Sequence, residues 1–239
     1  MIALEVSNLV KKYGDFEAIK NISFEVRQGE IFGLIGPNGA GKTTTLRTIS
    51  TLIQITSGYI KVYGYDVKKE GSHVRKIISY LPEDAGAYRN LTGKEYLEFV
   101  AKFFTKDKNS LKKMTDKGIE IANLNERINA KIDTYSKGMM RKLLIARAMM
   151  TEPKLAILDE PSSGLDVINA REVRKIIKES VNNGKAVLLS SHNMLEVEYM
   201  CDRIALINSG KIVEVGTPKE LKEKYQAPNI EDVFIEVIK

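Results

Sequence analysis

Ile31-Phe32-Gly33-Leu34-Ile35 runs without a break into Gly36-Pro37-Asn38-Gly39-Ala40-Gly41-Lys42-Thr43. The first five residues are continuously apolar, as expected of a strand covered on both faces. The next eight fit G-x-x-x-x-G-K-[ST], and Leu46, Ile49 and Ile53 then recur along one side of a helix. Strand, Gly-rich loop and helix in that order are what a phosphate-binding loop requires. Glycines let the backbone turn tightly enough for successive N–H groups to face phosphate oxygens, and the helix N-terminus adds the positive end of its dipole. Lys42 is placed to reach the β- and γ-phosphates, and Thr43 to hold Mg²⁺ through its hydroxyl.

Two more continuous apolar runs lie far downstream, Leu155–Leu158 and Ala186–Leu189, with Val167, Ala170, Val173, Ile177 and Val181 at near-helical spacing between them. Strands alternating with helices predict an α/β fold with a mainly parallel sheet. The second run ends in Asp159-Glu160-Pro161, at the carboxyl edge where such sheets bind ligands. Adjacent carboxylates repel, and a cation relieves the cost. Asp159 therefore suits Mg²⁺, and Glu160 is free to polarise a water for attack on a γ-phosphate. His192 follows the third run and should emerge on the same edge, where an imidazole can donate to a phosphate oxygen or accept from the attacking water. His73 has no such setting and reads as solvated.

Elsewhere the pattern changes. Residues 1–30 alternate, with Ile2, Leu4 and Val6 on one face and Ile22, Phe24 and Val26 on another, and turns at Tyr13-Gly14-Asp15 and Arg27–Glu30. This predicts an N-terminal antiparallel β subdomain. Residues 84–150 contain no strand-like run. A capping box at Thr92-Gly93-Lys94-Glu95 precedes an apolar face of Tyr96, Phe99, Val100, Phe103 and Phe104, a second helix carries Leu111, Met114, Ile119 and Ala122, and a third begins after Ser136. We expect one domain, 1–239. Residues 1–83 and 151–216 would form the α/β core with its antiparallel part and a strand at Lys76–Leu81. Residues 84–150 would form an inserted helical subdomain, and 217–239 a helical tail after a hairpin of Arg203–Asn208 and Lys211–Gly216.

Composition sets bounds. The 239 residues are 43% hydrophobic and 28% charged, which excludes collagen-like, coiled-coil and disordered classes. No apolar run approaches the roughly 18 residues of a spanning helix, and the early Glu5 speaks against a signal peptide. The single cysteine, Cys201, excludes an intrachain disulfide and a Cys-based zinc site. Lys and Arg exceed Asp and Glu by 37 to 31, a net +6 that suits phosphate ligands. The basic residues are dispersed, so no nucleic-acid partner is expected.

With Gly36–Thr43, Tyr135-Ser136-Lys137-Gly138-Met139, Leu155–Glu160, Ser163-Gly164-Leu165-Asp166 and His192 in this order, the chain resembles an ATP-binding-cassette (ABC) ATPase over essentially its whole length. The resemblance implies a P-loop NTPase core that binds ATP with Mg²⁺ and hydrolyses it. Its site would comprise Gly36, Pro37, Asn38, Gly39, Ala40, Gly41, Lys42, Thr43 and Thr44 on the phosphates, and Tyr13 stacked on adenine. Thr43, Glu83 and Asp159 would serve the metal, and Glu160, His192 and Glu83 the reaction. Ser136 and Gly138 of the signature stretch and Asp166 of the D-loop would act on the nucleotide of a second protomer, so that ATP drives dimerisation, as a homodimer or with a sister cassette. Ser136 is a natural N-cap, and no Glu at position 139 folds back to consume a donor.

Two departures stand out. The signature usually reads Leu-Ser-Gly-Gly-Gln, and Lys137 and Met139 replace Gly and Gln here. The loop that usually carries Gln reads Leu81-Pro82-Glu83, and a carboxylate there accepts from Mg²⁺-bound water but has no amide to donate. This loop, Asn90-Leu91-Thr92 and Glu231-Asp232-Val233-Phe234 look most like subunits of multidrug, lipid, polysaccharide or sodium exporters. That likeness implies a separate transmembrane permease, docked on the helical insertion, and a place at the cytoplasmic face of the membrane. A soluble non-transport cassette is the rival reading. Repair and chromosome members carry long coiled-coil insertions, however, and translation factors carry two cassettes per chain. A P-loop kinase or GTPase would leave the signature and His192 unexplained, and no Asn-Lys-x-Asp stretch occurs.

Overall fold

The computed structural model describes residues 1–181 and 184–239, with the Glu196 side chain outside the description. The chain divides into two compact units. The first, an α/β unit, comprises residues 1–80, 154–160 and 181–239; the second, a helical unit, comprises 81–153 and 161–180.

The α/β unit holds two sheets. In the first, β1 (Ile2–Tyr13) pairs antiparallel with β2 (Phe16–Arg27), and β3 (Ile31–Ile35) opens the second. β4 (Ser57–Val62) and β5 (Tyr65–Asp66) complete the first sheet in the order β2-β1-β4-β5. Leu4 faces Val26 and Val6 faces Phe24, so the alternating pattern turns one face inward. Ile2 departs from the expected face. A register shift between Ile2 and Leu4 leaves Ile2 exposed and buries Ala3 beside Leu4.

The second sheet also contains β6 (Ile78–Leu81), β7 (Leu155–Leu158), β8 (Ala186–Ser191), β9 (Arg203–Asn208) and β10 (Lys211–Gly216), in the order β10-β9-β3-β8-β7-β6. The three apolar runs are β3, β7 and β8, and every residue of each is buried. β3 runs parallel to β8 and β9, β7 runs parallel to β8, and β10 returns antiparallel on β9, giving the expected hairpin with its stated bounds. Leu4, Val6, Phe24, Phe32, Leu34, Ile157 and Leu188 share one core with Leu46 and Ile49 of α1 (Lys42–Ile49). β6 starts two residues later than expected, because Lys76 and Ile77 close helix α2 (Gly71–Ile77).

In the helical unit, Thr92 and Glu95 form the expected capping box of α3 (Gly93–Ala101). α3 ends at Ala101, so its inward face is Tyr96, Leu97 and Ala101. Phe103 and Phe104 lie beyond it and are exposed, because the chain is already turning toward Asp107, the N-cap of α4 (Lys108–Ala122). α5 (Lys137–Met149) starts at the Ser136 cap. The expectation that residues 151–216 all belong to the α/β core does not hold for α6 (Val167–Ser180), which groups with these helices. Lys142 of α5 and Glu172 of α6 pair at 2.7 Å, and α6 buries Ala170, Val173 and Ile177 while Val167 stays exposed.

The C-terminal tail belongs to the α/β unit. Glu198 follows the short helix α7 (Met194–Val197), and its carboxylate accepts from Lys222 of α8 (Pro218–Tyr225) and from the first amide of α9 (Ile230–Ile238). Leu221, Ile230, Val233 and Phe234 are buried, so the tail is part of the packed unit and not an appendage.

Candidate nucleotide site

The glycines shape the loop between β3 and α1. A Cβ on Gly36 would sit 2.1 Å from the Ile207 carbonyl oxygen, so only glycine fits there. Gly41, at φ 105°, opens α1 with no side-chain cap, and Gly39, at φ 80°, has nothing within 4 Å of a would-be Cβ. Pro37, Asn38 and Gly39 are exposed, Ala40 is buried, and Thr44 is half-buried on the first turn of α1. The result is an open loop in front of an uncapped helix start, which is the form an anion cradle takes. Lys42 is buried with its ammonium inside the loop, donating to the carbonyls of Gly36 at 2.8 Å and Pro37 at 3.2 Å.

Asp159 and Glu160 follow β7 and are both buried. Three hydroxyls hold Asp159. Thr43 and Ser190 donate to Oδ1 at 3.2 and 2.6 Å, and Tyr80 donates to Oδ2 at 3.3 Å. Burial, followed by the negative charge of Asp159, pushes the Tyr80 phenol above its ordinary pKa, which keeps it a proton donor. Glu160 adopts a left-handed backbone at φ 48°, strained for a residue with a Cβ. Its amide donates to Ser190 Oγ at 3.0 Å, and its Oε2 accepts from His192, 2.8 Å from Nδ1 and 3.3 Å from the amide. Oε1 lies 3.3 Å from the Lys42 ammonium. This is ion-pair distance without hydrogen-bond geometry, so the buried oxygen has an opposite charge but no hydrogen-bond donor. Lys42, Thr43, Asp159, Glu160 and His192, five residues picked from the sequence, thus converge on one edge of the sheet.

These residues fit Mg²⁺ held jointly with phosphates. No cluster of three or more acidic, His or Cys side chains that could hold a metal occurs among the described residues. One hydroxyl beside one carboxylate, Thr43 and Asp159, is the sparse protein share such a site needs. Tyr13 stands exposed at the end of β1, with the Lys11 ammonium 4.8 Å from its ring centre.

The remaining predicted site residues lie in the helical unit. Glu83 is exposed; its carboxylate accepts from Ser163 at 3.4 Å and its carbonyl from Arg141 at 3.0 Å. Ser136 caps α5 by accepting from the Met139 amide at 3.2 Å. A Cβ on Gly138 would meet Asn169 at 2.3 Å, and one on Gly164 would meet the Lys137 ammonium at 2.1 Å. Asp166 caps α6, accepting from the amides of Ile168 and Asn169 and from the Asn169 side chain at 2.6 Å. The stretches around Ser136 and Asp166 are therefore packed together within one unit.

The family profile described as ABC transporter matches residues 19–163. The chain belongs to the ABC transporter family. It is 39% identical over 218 residues to the linearmycin resistance ATP-binding protein LnrL of Bacillus subtilis, covering 91% of this chain and 70% of LnrL. It is 31% identical over 220 residues to the ABC transporter ATP-binding protein NatA of the same organism, covering 92% and 89%. A solved ATP binding subunit of an ABC transporter superposes with a TM-score of 0.86 at 28% identity, covering 99% of this chain and all of that one.

As an ABC protein the chain is an ATP-binding subunit of a membrane transporter and an ATPase. No helix among the described residues is long and apolar enough to cross a membrane. Sequence reasoning missed three residues of its sites: Ser190, Tyr80 and Asn169. The apolar run Ala186–Leu189 ends in Ser190-Ser191, and a hydroxyl continuing a buried strand must find partners. That signal was available for Ser190. Nothing in the sequence pointed Tyr80 toward Asp159 or Asn169 toward Gly138.

Proposed function

We propose that this ABC ATPase powers an exporter, working at the cytoplasmic face of the membrane on a separate transmembrane permease. A named resistance protein among its relatives and the absence of a membrane-crossing helix among the described residues support this reading. Tyr88 and Leu91, with Tyr88 exposed at the edge of an aromatic cluster with Tyr96 and Phe99, provide the surface on which the permease docks. Two protomers, identical or sister chains, close on two ATP molecules. Each ATP lies between the phosphate loop of one protomer and Ser136, Gly138 and Asp166 of the other.

In each site Gly36–Thr44 and Lys42 bind the phosphates, and Tyr13 stacks on the adenine. Thr43 and Asp159 would hold Mg²⁺, which would supply neutralisation of charge on the phosphates when bound. Glu160 takes the proton of the attacking water, and His192 orients the Glu160 carboxylate through its Oε2. The observation that carries this reading is the setting of Glu160, buried with one oxygen toward Lys42 and the other on His192.

Glu160→Gln tests it. An amide cannot take the proton but keeps the shape, so turnover should fall about 10²–10⁴-fold while ATP binding persists. An ATP-bound dimer should then accumulate on size exclusion. A monomer that hydrolyses ATP at the normal rate would remove Glu160 from the reaction.

A further inference from the structure

We propose that Ser190 is a positioning residue for ATP hydrolysis: one buried hydroxyl that fixes both the metal-side carboxylate and the backbone of the catalytic base. The proposal rests on the roles given above to Asp159 and Glu160.

Ser190 lies on β8, in register with Leu34 of β3, and is fully buried. Ala186 to Leu189 before it are all apolar, and the core asks for more of the same. A buried hydroxyl costs free energy unless its hydrogen bonds are made. Here both kinds are. Ser190 Oγ accepts the Glu160 amide at 3.0 Å and donates to Asp159 Oδ1 at 2.6 Å, the shorter of the two bonds to that oxygen. Because the amide can only donate and the carboxylate only accept, the hydroxyl proton has one orientation. Donation to a carboxylate is also the stronger class of hydrogen bond.

The two acids are consecutive but are fixed in different ways. For Asp159, Ser190 sets the side chain; for Glu160, it sets the peptide. The left-handed φ of 48° at Glu160 is strained and persists only where surrounding groups over-determine it. The bond from its amide to Ser190 is one such constraint, and His192 holds the other end of the residue. A single hydroxyl therefore sets the separation and facing of the metal-side carboxylate and the base. Losing it removes the shortest of the three hydroxyl bonds to Asp159, leaving the longer ones from Thr43 and Tyr80, and leaves the Glu160 amide buried without its acceptor.

The test uses the full-length protein with Ser190→Ala, Ser190→Cys and Ser190→Thr, beside wild type and Glu160→Gln. Cys keeps the volume of Ser but is a poor donor, so it carries the test where Ala disturbs folding. Two quantities are read: kcat and KM for ATP, and the gain in ADP affinity that Mg²⁺ brings over EDTA. Loss of a group that orients a metal ligand typically costs 10–100-fold in metal affinity or activity. Ala and Cys should lower kcat about 10–100-fold with KM little changed, and reduce the Mg²⁺ gain while leaving ADP affinity in EDTA at the wild-type value. Thr, which restores the hydroxyl, should recover both.

Wild-type kcat and Mg²⁺ gain in Ala or Cys overturns the proposal, as does an equal loss of ADP affinity in EDTA, which would mean general distortion. Normal turnover by Glu160→Gln overturns the underlying assignment instead, whatever the Ser190 variants do.

Discussion

Asp159 and Glu160 of the α/β unit are almost wholly out of solvent, whereas Glu83, Glu95, Asp107 and Asp166 of the helical unit stand at its surface. The first pair is held by side chains far away in sequence: Thr43, Tyr80, Ser190, His192 and Lys42. In the second group, Glu95, Asp107 and Asp166 bond to amides within three residues of themselves and cap helices. Buried acids held by remote partners are set before a ligand arrives, which is the preorganisation catalysis needs. Local caps stiffen helix starts and leave the surrounding surface free. The α/β unit thus carries the buried, preset acids to which the reaction is assigned in the proposal above. The helical unit offers a preformed edge, with Gly138 against Asn169 and Asn169 bonded to Asp166, which is the edge proposed to face the nucleotide of a second protomer.

The largest effects should separate these two roles. Lys42→Ala removes the cation inside the loop and leaves the buried Glu160 oxygen without its opposite charge. Breaking a buried pair this way typically costs about 3–5 kcal/mol, so both ATP binding and stability should suffer. Ser136→Asp should do the reverse. Asp caps a helix as well as Ser, so α5 keeps its start, but a carboxylate now stands where the partner's ATP is proposed to sit. Each protomer should still bind ATP, and the ATP-induced dimer should be lost on size exclusion. A Ser136→Asp protein that dimerises normally would mean that the exposed start of α5 does not face nucleotide.

Next in size is a glycine pair that compares how tightly each unit is built. A Cβ on Gly36 meets the Ile207 carbonyl oxygen at 2.1 Å, and backbone in the middle of a sheet cannot step aside. Gly36→Ala should cost at least the ~1–3 kcal/mol of an overpacked core, measured by urea denaturation. The nearest atoms to a Cβ on Gly138 belong to the Asn169 side chain, at 2.3 Å. Gly138→Ala should displace Asn169 from Asp166 at smaller cost, and a second change, Asn169→Gly, should recover most of it. If no second-site change at position 169 rescues Gly138→Ala, the two glycines are equally constrained and the contrast fails.

Much of this was legible in the sequence, and the rest divides along the same line. Continuous apolar runs followed by fixed punctuation gave β3, β7, β8 and the loop from Gly36 to Thr43, because burial on both faces and tight turns leave few residue choices. The hairpin at Ser209-Gly210 and the caps at Thr92 and Ser136 were equally local. What escaped was tertiary. α6 reads as part of a β-α-β repeat, whereas it groups with the helical unit, where Glu172 pairs with Lys142 of α5. Phe103 and Phe104 fitted a helical period that ends at Ala101, where the approach to the Asp107 cap begins. Ser190 is 31 residues from the oxygen it holds, and no spacing rule spans that distance.

The smallest effect follows from the exposed caps and tests the comparison through acid. Hydrogen bonds from nearby amides hold the carboxyls of Glu95, Asp107 and Asp166 in the helical unit, and Glu220 in the α/β unit, below their ordinary pKa values. A depressed folded pKa contributes stability that is fully present above the unfolded value of about 4 and is lost as pH falls through the folded value. Three of these four caps are in one unit, so acid should loosen helix starts there first. Hydrogen exchange between pH 5 and 2.5, corrected for intrinsic rates, should show protection falling earliest at the amides these acids accept from: Thr92, Ser110, Ile168 and Asn169. Asp107→Asn and Asp166→Asn keep a capping oxygen that does not titrate and should flatten the response at Ser110 and Asn169. Loss that starts above pH 5, or that proceeds equally in both units, would show that groups other than these surface caps govern the acid response.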